Sequence, residues 1–125
     1  MQKLTIKEFH EALKAQGVTS HEHFAFVCPI CSTVQSAADL MRATGNPFEV
    51  VERSLGFSCI GRFTSAGPFK EGKEGEGCDW TLGGLLSLHK LVVVDDDGKE
   101  YPRFELANAE QAQQHEQANR QRAAA

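Results

Sequence analysis

Residues 26–36, FVCPICSTVQS, decide how the rest of the chain is read. Cys28-Pro29-Ile30-Cys31 is a CxxC knuckle. Such a turn puts two thiolates on one side, near enough for a single metal ion, and lets the following backbone amides donate to sulfur. Proline within the turn and Ser32 after it suit that geometry. Cys59 and Cys78 do not form a second knuckle, and the full spacing is C-x2-C-x27-C-x18-C. A zinc tetrathiolate uses all four cysteines and needs no redox chemistry. The leading expectation is therefore structural zinc held by Cys28, Cys31, Cys59 and Cys78. Zinc with His23 in place of one cysteine, free thiols, a redox CxxC and an iron–sulfur cluster are the alternatives. A redox CxxC opens a helix within a βαβ unit, whereas a polar STVQ segment follows this one. A catalytic zinc keeps one position open, and four cysteines leave none. His21-Glu22-His23 lies too close before the knuckle for the zinc-deaminase arrangement. With no nucleophile–base signature visible, the expectation is that the chain is not an enzyme.

On either side of the knuckle, local signals set the elements. Thr5 and Glu8 form a capping box for a helix with Ile6, Phe9 and Leu13 on one face and Gly17 as its stop. HFAFVC, residues 23–28, reads as a strand entering the knuckle. Ser36 caps a helix that Gly45 ends. Asn46, Pro47 at the first helical position and Gly56 bracket another, with Phe48, Val51 and Leu55 facing inward. FSCIGRF, residues 57–63, reads as a short strand. SAGPFKEGKEGEG, residues 65–77, is a loop whose Gly-rich tail is the most mobile internal segment. Leu82, Leu85, Leu86 and Leu88 fit a buried turn that Gly83 and Gly84 weaken. LVVV, DDDG and KEYPRFELA make a hairpin, with Pro102 placing its strand at a sheet edge.

The chain has 125 residues, 41% of them hydrophobic, and a formal net charge of −4. That is one domain with enough apolar content for a core. No apolar run reaches the roughly 18–20 residues of a membrane span. The N-terminus is amphipathic rather than signal-like, so the expected site is the cytoplasm, where cysteines are more often metal ligands than disulfides. Thirteen basic against 17 acidic residues disfavour a phosphate-neutralising surface. The expected fold is α+β: one small antiparallel sheet shared by a zinc-ribbon-like four-cysteine site and the hairpin, with two to three short packed helices. Residues 1–107 form this single zinc-stabilised domain, and 108–125 a polar, flexible C-terminal tail, read either as a frayed helix or as disordered. Asp95-Asp96-Asp97 is read as the exposed hairpin turn. Trp80 is expected to pack over the metal site or core. Arg62, Phe63, Trp80 and Arg103 are also the candidate partner-binding residues.

FVCPICSTVQS, GFSCIGRFTSAGP (56–68) and GCDWTLGGLLSLHKLVVVDDDGKEYPRFELA (77–107) together resemble a small uncharacterised family common in bacteriophage and prophage genomes. The resemblance covers most of residues 3–110. It is carried by the four cysteines with Gly61, Arg62, Gly67, Trp80, Gly83 and Gly84. It implies a non-catalytic phage accessory protein acting in the bacterial cytoplasm by binding a host protein, an inhibitor of a defence system such as CRISPR–Cas being one form. A zinc-ribbon-like nucleic-acid-binding module is the alternative.

Overall fold

A computed structural model describes residues 2–83 and 88–124. The order of elements is β1 (Gln2–Thr5), α1 (Ile6–Lys14), β2 (Ala25–Val27), β3 (Val34–Ser36), α2 (Ala37–Thr44), α3 (Phe48–Val51), β4 (Leu91–Val94), β5 (Glu100–Arg103), β6 (Glu105–Leu106) and α4 (Ala109–Ala124). The fold is α+β, with three strands in each of two sheets. Here the strand pairing departs from the expected single shared sheet. The knuckle hairpin β2–β3 takes β6 as its third strand, in the order β3-β2-β6, while β4–β5 pairs with β1. The β1–β4 pairing is parallel, with Gln2 opposite Leu91 and Thr5 opposite Val94. Pro102 lies on β5, an edge strand, where its missing amide costs no ladder bond.

Helix starts follow the local chemistry. The Glu8 amide donates to the Thr5 hydroxyl at 3.1 Å, and the Thr5 amide to the Glu8 carboxylate at 3.0 Å. At α2 the Ser36 amide donates to Asp39 at 2.8 Å, and Gly45 ends the helix in the left-handed region at φ +74°. Pro47 caps α3 instead of opening it; Val51 is buried, with Phe48 and Leu55 packed around it. The hairpin turn spans three residues: the Asp95 amide bonds the Lys99 carbonyl at 3.0 Å, and Gly98 takes the positive φ. The Asp95 carboxylate accepts the amides of Asp97 and Lys99, so this acidic run is turn chemistry.

Residues 57–63 are not a strand. Ser58 alone bridges Thr81, and Ile60–Phe63 form a 3-10 turn that aims an amide at the cysteine cluster. Of the expected leucine-rich turn, Gly84, Leu85 and Leu86 lie outside the described residues.

Residues 109–124, expected as part of a flexible tail, form α4. Asn108 and Gln111 cap its start reciprocally, at 3.0 and 2.8 Å. Its docking face is mostly polar. Ala112 packs on Ala25 and Ala107, Glu116 accepts the Thr19 amide at 3.1 Å, and Asn119 accepts from Arg42 at 2.9 Å. His115 pairs with Asp39. Burial raises the Asp39 carboxyl, but His115, the Ser36 amide and Arg42 outweigh it and leave it below the usual carboxylate range. Low apolar content thus marked no tail, because this helix is held by hydrogen bonds and ion pairs. Among the described residues, no helix is long and apolar enough to cross a membrane.

Buried Gln16 joins the layers. Its side-chain amide donates to the carbonyls of Ala25 and Ala107 and accepts the Ala25 amide, each at 2.9 Å. Gln16→Ala removes these bonds and strands buried backbone groups on β2 and after β6. A loss of about 3 kcal/mol in unfolding free energy is expected, read as a lower denaturant midpoint at unchanged slope.

Candidate metal centre

The four cysteines reach one point from three places in the chain. Cys28 and Cys31 sit in the β2–β3 turn, Cys59 precedes the 3-10 turn, and Cys78 ends the Gly-rich loop. All four are fully buried within the core cluster that contains Leu13, Phe26 and Phe104. Cys28 Sγ lies 3.8 Å from Cys78 Sγ, and Cys31 Sγ lies 3.6 Å from Cys59 Sγ. Every pair of the four sulfurs is within 4.8 Å. A disulfide needs about 2 Å. These separations instead match the edge of a sulfur tetrahedron, about 3.8 Å, around one ion with metal–sulfur bonds of about 2.3 Å. The four buried cysteines can bind a metal ion. The space between them fits one ion and not a multi-iron cluster.

Each half of the site is built from backbone as much as from side chain. The Cys28 amide donates to the Thr33 carbonyl at 3.1 Å, and the Ser32 amide to the Cys28 carbonyl at 2.9 Å, closing the knuckle. Ser32 accepts a φ of +60° there. Amides from Ile30 and Cys31 point at Cys28 sulfur, the Gly61 amide at Cys59, and the Trp80 amide at Cys78. In three cases, then, the amide two residues after a cysteine faces its sulfur. The split pair reproduces at Cys59 and at Cys78 the local turn that CxxC makes once.

Three side chains lock the halves together. Gln35, fully buried, accepts the Ile60 amide at 2.7 Å and donates to Cys59 Sγ at 3.5 Å. The Thr33 hydroxyl lies 2.9 Å from Cys31 Sγ and accepts the Gly77 amide at 2.8 Å. Arg62 donates to the Asp79 carbonyl at 2.8 Å and ties the Cys59 turn to the Cys78 segment. The Gly75 amide also bonds the Cys31 carbonyl at 2.8 Å, so the end of the Gly-rich loop is anchored to the knuckle. Gln35 and Thr33 carry no cysteine-like signal in sequence. Their only mark is that they are polar residues in the short strand segment after a knuckle.

The sulfurs do not share charge evenly. Hydrogen bonding with Cys28 holds Cys59 down at about 5, against the opposing effect of burial, with help from the Gly61 amide, Gln35 and the Cys78 amide. Burial pushes Cys78 up to about 12, and the Cys28–Cys59 hydrogen bond together with burial pushes Cys28 up. Cys28 and Cys78 are therefore disfavoured as thiolates, and charge on their sulfurs needs a cation.

The other singled-out residues have intramolecular roles. Trp80 stacks on Phe104 at 5.7 Å beside the cluster. Phe63 packs against the cluster of Leu40 and Val51, and the half-buried Arg103 guanidinium lies 5.7 Å over the Phe57 ring. His23 stays out of the metal cluster; its Nε2 is 3.6 Å from Glu22 and 3.9 Å from Glu116.

A family model spans residues 5–107 and takes in all four cysteines. The chain belongs to the VVA0879-like family. The matched segment holds both sheets apart from the first residues of β1, and stops before α4. Comparison with curated proteins and with solved structures found no match.

Gly61 is the tightest point of the site. A Cβ there would lie 2.3 Å from the Cys78 nitrogen and 2.4 Å from its carbonyl oxygen. Gly61→Ala should push Cys78 off the cluster, cost about 3 kcal/mol or more of stability, and lower the metal retained per chain after dialysis. Metal binding must also displace protons from the raised thiols. Affinity should fall with falling pH, about tenfold per unit for each proton displaced, read by competition with a chelator.

Proposed function

We propose that the ion is zinc, that its role is structural, and that the chain is a non-catalytic module that binds a protein of a bacterial host. The observation that carries the zinc reading is the closed site. Four buried sulfurs within 4.8 Å of one another supply the full ligand set of a tetrahedral ion, which leaves no position for water or substrate. Tetrahedral all-sulfur coordination suits zinc, which adds no redox chemistry. A single iron would take the same ligands, and metal analysis separates the two.

The binding reading has a different support. A chain whose metal is enclosed acts through its surface. Its net charge of −4 favours a protein over a nucleic-acid backbone. The resemblance to phage and prophage proteins supports a host target in the bacterial cytoplasm, and a component of a defence system such as CRISPR–Cas is the most specific form of this reading.

The purified chain is expected to carry one zinc and to hide all four thiols from a thiol reagent until a chelator is added. Chelation should then release the thiols together with the folded signal. Iron in place of zinc, or four reactive thiols in a folded chain, would overturn the zinc assignment. Affinity capture from bacterial lysate should recover a stoichiometric protein. Salt-sensitive binding of DNA or RNA instead would favour the nucleic-acid module.

A further inference from the structure

We propose that the cleft between α2 and α4 is a binding site for a small molecule carrying a carboxylate or phosphate group. A cavity of about 410 Å³ opens there, away from the cysteine cluster. Its walls hold an excess of hydrogen-bond donors. Asn119 is 5% exposed, and its side-chain Oδ1 is taken by Arg42 at 2.9 Å. That bond fixes the amide orientation and leaves Nδ2, which can only donate, buried without a partner on the cavity wall. A buried donor left unpaired keeps its desolvation cost, so a partner there has a definite value. His23, 7% exposed, lines the same cavity; its Nε2 faces Glu22 and Glu116, which leaves the buried, unpartnered Nδ1 as an acceptor in the neutral ring.

The charged groups add to this polarity. Arg122 lines the mouth and makes no ion pair among the described residues. Arg42 and Arg120 also line it; each gives part of its fork to a carboxylate, Arg42 to Asp39 at 3.0 Å and Arg120 to Glu116 at 2.8 Å. The carboxylate in the lining, Glu22, leans on Ser20 at 3.4 Å and on His23 at 3.6 Å. The unmet demand of Asn119 Nδ2 and the three arginines is therefore for acceptors. An oxyanion supplies acceptors and no donors, and an arginine fork is shaped for it. Ala38 and Met41 form the apolar wall, which suits a short hydrocarbon body behind the charged head.

The test titrates the full metal-loaded chain with butyl phosphate, butyrate and inorganic phosphate, and follows the Asn119 side-chain amide by NMR. A saturable shift of that amide is expected with at least one of the two butyl probes, stronger than with inorganic phosphate. Comparing the butyl probes tells phosphate from carboxylate. Arg122→Ala should weaken binding by about tenfold with thermal midpoint unchanged, because Arg122 holds no part of the fold together. Absence of a saturable shift at millimolar probe, equal binding by Arg122→Ala, or binding by a nucleic-acid oligomer alone would overturn the proposal.

Discussion

Mutual repulsion of closely spaced sulfurs governs this molecule. Two unit charges about 4 Å apart repel by about 4 kcal/mol at the effective dielectric of a protein interior near its surface. The cysteine sulfurs are closer than that in two pairs, at 3.6 and 3.8 Å, inside a fully buried cluster. A dication reverses the sign of the problem. Metal binding and formation of this core are then one event, because the ligands come from segments that only the fold brings together. The stretches closed by the site, 27 residues between Cys31 and Cys59 and 18 between Cys59 and Cys78, have considerable freedom when open. Tying them at one ion removes that freedom from the unfolded chain, as a disulfide does.

Around the sulfurs the work of positioning falls to polar side chains. Gln35 spans from β3 to the Cys59 turn, Thr33 holds the Gly-rich loop, and Gln16 stitches α1 to strand β2 and the end of β6. An amide side chain can accept and donate at once, so a single buried glutamine replaces a ladder bond in two directions. Gly61 does the opposite by supplying nothing: the absence of a Cβ lets the Cys78 backbone lie against it.

Much of this was readable from the chain. The Thr5–Glu8 capping box, the Ser36 cap, the knuckle, the terminating glycines and the edge proline each rest on residues within a few positions, where local chemistry is decisive. The four-cysteine grouping was legible because one tetrahedral ion uses all four thiols with none left over, and His23, the competing ligand, stays outside the cluster. Strand β1 was not. Gln2–Thr5 is mostly exposed, shows no alternation, and finds its partner β4 far along the chain. FSCIGRF looked extended because its aromatics favour strands, but the Gly61 amide can face Cys59 sulfur only from a turn. The docking of α4 was missed because its anchors, Glu116, Asn119 and His115, are residues that composition assigns to solvent. The Asn108–Gln111 cap was the signal that a helix starts there.

That polar anchoring gives α4 a property an apolar helix lacks. Its one fully buried side chain among those described is Ala112, a single methyl group. The rest of its seat is made of charges and amides that water can solvate equally well. Such a helix brings little apolar surface of its own to the body, and its one apolar contact is Ala112 on the Ala25–Ala107 patch. It behaves as a clasp rather than a cornerstone: protons and salt compete for its fastenings, and the knuckle sheet beneath it keeps its own strands and its own cysteine cluster.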